Sequence, residues 1–516
     1  MNLINDRWIA VRRADGTAEP IAPWQLTEDL AQNPILAVAS PRPDFDGALT
    51  QFLIGLLQTT CTPKTESDWW DWREKPPAPE ELRSKFETVA HAFELDGEKA
   101  FMQDASPSEL TSPPLGIAAL LMEAPGEQTT EQNKDHFVKR GKVEQLCSDC
   151  TAAALFALQT NAPSGGQGYR TGLRGGGPLT TVILGRSLWE TCWLNVLEEV
   201  HYFAGFDHGR NANADRFPWL AKTRSSEARP PAGTTTTGDM HPDQQFWAMP
   251  RRIRLMHDNL KAPIPCDLCG AQGQHVYRCF STRNYGVNYE GFEHPLSPHY
   301  IKDDRPNPVH PQPGGIGYRH WLGLVESSGD GQRKPAKVIE RFRTLREDGR
   351  LWAFGYDMDN MKARCWYDAN MPLLAVPEEA EPLFKAWVER MVQAANLTAY
   401  DVRQSMKSAL FGKAEVRGDL SFVTAHFWSA TEGAFYARVQ RLRDLAPMGQ
   451  SEQEVMASWL SELRNHALAT FDQYAQTGDF DARDPRRIAL ARNGLSKALG
   501  GKKLREALGL PSRKTS

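Results

Sequence analysis

The chain is 516 residues long, with 60 Lys and Arg against 64 Asp and Glu, a formal net charge of -4 and 41% hydrophobic residues. That is apolar material for at least one substantial core and length for two to four domains at ~100 to 200 residues each, which excludes a disordered or fibrous chain. A near-neutral molecule is also no polycation that coats nucleic acid unaided, so any phosphate binding must be local or shared with a partner.

At the N-terminus Asp6, Arg7, Arg12 and Arg13 fall where a secretory signal needs an unbroken apolar stretch, and Pro and charged residues interrupt every later apolar run. The expectation is no export signal, no membrane span and a reducing cytoplasm. From Met1 to about Tyr367, short β-like runs such as Leu179 to Leu184 mix with helical stretches and many Gly and Pro breaks, the texture of a large, loop-rich α/β body. Residues 205–250 and 292–317, crowded with Pro, Gly, His, Asn and Thr, read as long excursions rather than packed elements. Near the end of this body, Trp352 to Tyr356 and Cys365 to Tyr367 flank the polar run from Asp357 to Arg364, a β-hairpin pattern.

After Pro372, Pro377 and Pro382 the β-like alternation stops, so a domain boundary is expected near residue 375, separating a body at 1–375 from a C-terminal domain at 376–516. Met456, Leu460, Leu463, Ala467, Phe471 and Tyr474 recur at steps of three and four, one face of an amphipathic helix. Ser451 with Glu454 suggests a capping box, and Asp484 with Pro485 an N-cap followed by proline in the first turn. Four helices are predicted, over 383–411, 420–446, 452–476 and 486–508, and their short connections favour a four-helix bundle. The fold class is thus mixed α/β (α+β) with a C-terminal bundle. The last helix and tail carry Arg486, Arg487, Arg492, Lys497, Lys502, Lys503, Arg505, Arg513 and Lys514 against the single acid Glu506. Such a run is either a solvated face or a surface for phosphates or a partner.

Among residues that carry chemistry, Cys147-Ser-Asp-Cys150 and Cys266-Asp-Leu-Cys269 stand out. Each pair offers two thiolates from one tight turn, and two such turns complete a tetrahedral structural zinc site. The 115 residues between the pairs are far more than a zinc ribbon uses, so unrelated buried cysteines are the alternative. Pro265 before Cys266 invites comparison with zinc deaminases, but no H-x-E precedes it, and four thiolates leave no open position for a water nucleophile. The run Ser164-Gly165-Gly166-Gln167-Gly168, continuing through Gly172-Leu-Arg-Gly-Gly-Gly-Pro178, is dense in glycine with basic and aromatic residues interleaved. Glycines let a backbone approach a ligand closely, but neither the G-K-[ST] of a P-loop nor G-x-G-x-x-G spacing is present, and a flexible connector is the bland alternative. Asp357 and Asp359 lack a nearby His or third carboxylate, so the hairpin reads as a protrusion rather than a catalytic centre.

Taken together, the opening M-N-L-I-x-D-x-W-I, the C-x-x-C-T-A-x-A-L-F from Cys147 to Phe156, the G-L-R-G-G-x-P from Gly172 and the C-x-x-C-G from Cys266 resemble, in order and spacing, the CasA family. These are the large subunits of Cascade, the type I-E CRISPR surveillance complex. The resemblance spans essentially the whole chain. It implies a non-enzymatic DNA reader that recognises the protospacer-adjacent motif in double-stranded DNA, starts strand separation toward an R-loop, and helps recruit the helicase-nuclease. Its implied partners are target DNA, the guide RNA at its 5′ end and the other Cascade subunits. In RNA-guided systems base pairing reads the long sequence while protein reads only the short motif. Residue by residue, the motif-reading loop falls on Ser164, Gly165, Gly166, Gln167 and Gly168. A wedge falls on Asp359, Asn360, Met361 and Lys362, with Asn360 where the family often has glutamine. The family's reaching lysine falls near Arg283 and Asn284. The loop toward the guide and the neighbouring subunit falls on Phe137, Lys139 and Arg140. The competing classes are a zinc-dependent hydrolase or nuclease acting on nucleic acid, and a pure scaffold subunit.

Overall fold

Fifteen of the 18 residues in the helix Pro43–Thr60 are buried, and a helix buried all round belongs at the centre of a large core. Phe52 is its hub, edge-on to Trp8, Phe93, Phe101, Phe156 and Trp247 at centroid distances of 5.3 to 6.0 Å. Such T-shaped pairs place a positive ring edge against a negative face. In this computed structural model the described residues are 1–106, 113–124, 141–206, 213–228, 230, 232–303, 305–328, 331–359, 362–411, 420–476 and 484–511. They form two units, one of Met1–Pro311, Ala336–Arg341 and Phe354–Tyr367, the other of Gln312–Pro335, Phe342–Ala353 and Asp368–Ser516.

The described strands form small three-stranded sheets. Strand β1 (Ile9–Arg13) lies between β2 (Ala18–Ile21) and β3 (Ile35–Val38), with Ile9 opposite Ile21 and Val11 opposite Val38. A long hairpin of Arg252–Pro265 and Gln272–Arg283 carries Leu115–Gly116 on its outer edge. The predicted strand after Pro178 is present as Thr180–Leu184 and extends the hairpin of Gly349–Asp359 and Lys362–Leu373. The stretches 205–250 and 292–317 are not mere excursions. Phe217, Trp219, Trp247 and Leu296 are fully buried in them, because their scattered large apolar residues fill the aromatic core without any helical or strand period to announce it.

Two buried basic side chains meet in this core. Arg174 donates to Gln51 Oε1 at 2.5 Å and to Thr180 Oγ1 and Ser297 Oγ at 3.0 Å, all neutral acceptors, and burial pushes its pKa down to about 9. His294 takes the Leu296 N–H on Nδ1 at 3.1 Å, and burial together with the Arg174 charge holds its pKa well below the ordinary value. Because the unfolded chain binds a proton at His294 near pH 6.5 and the folded chain does not, stability is full above that pH and falls as the solution is acidified. Denaturation midpoints between pH 7 and pH 4.5 are expected to fall less steeply in His294→Gln than in the wild type.

In the second unit four long helices, Glu381–Leu410, Ser421–Leu445, Gln453–Ala475 and Pro485–Gly500, pack together around Met391, Val402, Phe427, Phe435, Trp459, Leu463 and Leu495. Trp459 Nε1 donates to Met391 O at 3.0 Å, and Tyr318 stacks on Phe435 at 4.2 Å. The mixed α+β architecture with C-terminal helices is as the sequence predicts, with two local corrections. Asp484 does cap its helix, accepting from Arg487 N at 3.1 Å, but that helix ends at Gly500, and a separate Lys502–Ala507 turn follows because glycines 500 and 501 favour a break. No capping box forms at Ser451. Glu452 is the N-cap, and Ser451 Oγ instead accepts from Gln453 N at 3.3 Å. Part of the basic C-terminal run is structural: Arg487 donates to Ala409 O and Leu410 O, and Arg492 pairs with Asp472 at 2.6 Å. Arg513 and Lys514 lie outside the described residues.

Candidate metal centre and nucleic-acid interface

The two C-x-x-C turns, far apart in sequence, meet. Cys147 is the N-cap of the helix Ser148–Asn161, its Sγ accepting from Cys150 N at 3.5 Å. Cys266 and Cys269 sit in the turn of the long hairpin, where Gly270, at φ +76, lets its N–H reach Cys266 O at 2.9 Å. Only a glycine takes that left-handed conformation without strain. Sγ of Cys147 and Cys269 are 3.7 Å apart, and the ligand atoms of all four cysteines lie within 4.8 Å of one another. Asp267 clamps the two segments, accepting from Glu144 N at 2.7 Å and Gln145 N at 2.9 Å. Hydrogen bonds from Cys147 and Cys150 hold the Cys266 thiol far below its ordinary pKa, while its pairing with Cys147 pushes Cys150 far above. Four converging sulfurs fit a zinc ion, and such a set, being closed, would hold the fold rather than offer a coordination position for catalysis.

From this centre the helix runs to Asn161, and the chain then emerges as the glycine-rich loop. Gly165, Gly166 and Gln167 are exposed. Gly166 has φ +105 and open space around the position of a Cβ. The loop's base is latched: Asn284 Nδ2 donates to Gln167 O, and Tyr285 N to Gly168 O, both at 2.7 Å. Arg251 lies over the Tyr169 ring at 4.7 Å. Arg283, half-buried, ends the hairpin strand beside that latch. Thus Ser164 to Gly168, Arg283 and Asn284 are brought together.

Gly172 to Gly177 serve another end. A Cβ on Gly172 would sit 2.5 Å from Thr160 O, and one on Gly177, at φ +60, 2.7 Å from Tyr356 Cβ. These glycines allow the chain to fold back tightly, with Gly177 N donating to Asn161 O at 3.0 Å. Gly177→Ala is therefore expected to cost about 2–4 kcal/mol from overpacking plus backbone strain, against roughly 1 kcal/mol for Gly166→Ala, measured by chemical denaturation.

At the hairpin, Asp359 and Lys362 are exposed on either side of the tip, whereas Asn360 and Met361 lie outside the described residues. Arg364 ties the two acids, 2.6 Å from Asp357 and 3.7 Å from Asp359. The hairpin is anchored through Tyr356, whose hydroxyl donates to Asp44 at 2.7 Å and Glu123 at 3.0 Å, both carboxylates also paired with Arg42. This buried ionic anchor has no sequence signature, because its members come from three distant segments. Phe137, Lys139 and Arg140 lie outside the described residues.

The model of the CRISPR-associated protein Cse1 family matches residues 2–470. The chain belongs to the Cse1 family. Solved structures agree on its fold. Thermobifida fusca Cse1 is 16% identical with a TM-score of 0.70, covering 99% of both chains. CasA of Thermus thermophilus is 17% identical with a TM-score of 0.67, covering 97% of this chain and 99% of its own. A chain of a CRISPR RNA-guided surveillance complex is 16% identical with a TM-score of 0.68, covering 97% of this chain and 99% of its own. The family resemblance read from the motifs is borne out. Among the described residues of this Cse1 protein, no helix is long and apolar enough to cross a membrane.

Proposed function

We propose that this chain is the large, non-catalytic subunit of an RNA-guided CRISPR surveillance complex in the cytoplasm, and that it reads the protospacer-adjacent motif of double-stranded DNA and starts strand separation. Family membership supports the assignment to such a complex. One observation carries the reading role: the loop is exposed from Gly165 to Gln167, open around Gly166, and latched at Gln167 and Gly168 by Asn284 and Tyr285. A bare backbone held this way can enter a groove, and the minor groove, with its degenerate pattern, suits a relaxed reader. In this proposal Ser164 to Gly168 read the motif, Arg283 supplies positive charge, and Asn284 holds the loop in place. Asp359, Asn360, Met361 and Lys362 form the wedge that unstacks a base step. Phe137, Lys139 and Arg140 face the guide's 5′ end and a neighbouring subunit, in a body at 1–375. The bundle at 376–516 steadies the target and recruits the helicase-nuclease, and zinc at the four cysteines is structural.

The test is to assemble the complex with and without this chain and measure binding to duplexes with a randomised flanking trinucleotide, at one stated salt concentration. Enrichment of particular flanks only in its presence is the expected result. Equal binding of all flanks, or no change on omission, would leave a scaffold role.

A further inference from the structure

We propose that Asp96, His257 and His275 form a second metal site, for a divalent transition ion bound through nitrogen and oxygen, separate from the four cysteines. One ligand atom from each of the three lies within 4.8 Å of the others. His257 Nδ1 is 3.3 Å from Asp96 Oδ1, and His275 Nε2 is 3.4 Å from Asp96 Oδ2. Bonds of ~2.1 Å to one tetrahedral ion place neighbouring ligand atoms about 3.4 Å apart. Two imidazoles and one carboxylate are a donor set for Zn, Ni, Co or Fe(II) that leaves further positions to water or another ligand.

The long hairpin builds this arrangement by a break in its register. Met256 pairs with Cys279 but His257 with Tyr277, so Arg278 is an extra residue in the second strand. That bulge sets His257 opposite Tyr277 and Asn259 opposite His275, and bulges of this kind re-aim side chains beside functional sites. The supporting contacts are those a metal ligand needs. Asn259 Oδ1 lies 2.8 Å from His275 Nδ1 and accepts its proton, which leaves Nε2 with a lone pair. The Tyr277 hydroxyl donates to Asp96, 2.7 Å from both carboxylate oxygens, fixing the carboxylate's orientation. A lone pair on His275 Nε2 then faces an Asp96 oxygen at 3.4 Å, with the Tyr277 hydroxyl oxygen 3.2 Å away, an arrangement that a shared cation stabilises. The Met1 ammonium, 4.0 Å from Asp96 Oδ2, is a cation already beside the carboxylate.

Titrating Co2+ into the metal-stripped full-length chain, followed by visible and near-ultraviolet absorption, separates the two centres. Thiolate ligands give intense charge-transfer bands, whereas a nitrogen and oxygen site gives only weak d–d bands. Wild type is expected to bind one equivalent of the weak-band type, in addition to any thiolate-bound ion. His257→Gln with His275→Gln should lose the weak-band equivalent alone, with unchanged circular dichroism. Tyr277→Phe, which keeps all three ligands, should bind it ~10- to 100-fold more weakly. An absent weak-band equivalent in wild type, or one that persists in the double His variant, would overturn the proposal whatever the state of the cysteines.

Discussion

Serine at Cys147 or Cys266 is expected to abolish zinc binding at the four-cysteine centre and to loosen everything clamped there. A serine hydroxyl is not ionised near neutrality and is a poor ligand for zinc, so one substitution opens the set. Three thiolates forced together without a dication repel one another, and the site's folding contribution goes with the metal. The chain retains its aromatic core around Phe52, so the loss should be local: amides of Glu144 to Leu146 and Asp267 to Gly270 should exchange at least ~100-fold faster with solvent hydrogen, while those of Pro43–Thr60 keep their protection. Elemental analysis would show one fewer zinc per chain than in the wild type. A variant with undiminished zinc and unchanged exchange would mean that the cysteines do not hold it.

The second large effect concerns recognition. Gly166→Asp should weaken binding of the assembled complex to duplex targets by at least ~10-fold while leaving single-stranded targets within about twofold. The position has open space around it, so bulk alone breaks nothing within the chain. In the proposed role a carboxylate there would meet the phosphates of an approaching duplex, and the left-handed backbone at φ +105 is strained by any side chain. Gly166→Ala separates the two causes, since it carries the strain without the charge and should lose much less. If the Asp variant bound duplexes like wild type, the loop would not touch DNA. If it melted well below the Ala variant, a folding defect would account for the loss.

What the sequence makes legible follows from how local each signal is. Helix periodicity at Met456 to Tyr474, the Asp484 cap and the Trp352 to Tyr367 hairpin are written within a few residues of themselves, and all appear. The two C-x-x-C turns are each local too, but their meeting is not, and only the fold sets the hairpin turn against Cys147. The long hairpin of 252–283 has no clear sequence signature, because Lys, Asn, His and Gln along its exposed arms blur the alternation. For the same reason nothing in the sequence singles out His257 and His275. Neither lies near the other along the chain, and Asp96 is more distant still. The ionic anchor of Arg42, Asp44, Glu123 and Tyr356 is equally non-local. The packed stretch 205–250 reads as an excursion because turn-forming residues between single large aromatics look like loop at every window.

The helix that starts at Cys147 and the strand that leads away from Cys269 depart from one clamp and finish at one place, the first running into Ser164 to Gly168 and the second into the Asn284–Tyr285 latch. The exposed turn is thus the apex of a truss whose footing is the cysteine centre. Its placement is inherited from the two struts, together with the positive-φ glycines Gly166 and Gly168 that the turn itself requires. In the proposed reading role, the flanking bases tolerated would be retuned at Ser164, Gly165 and Gln167 without re-engineering the scaffold, because Gly166 and Gly168 are held at positive φ and stay fixed.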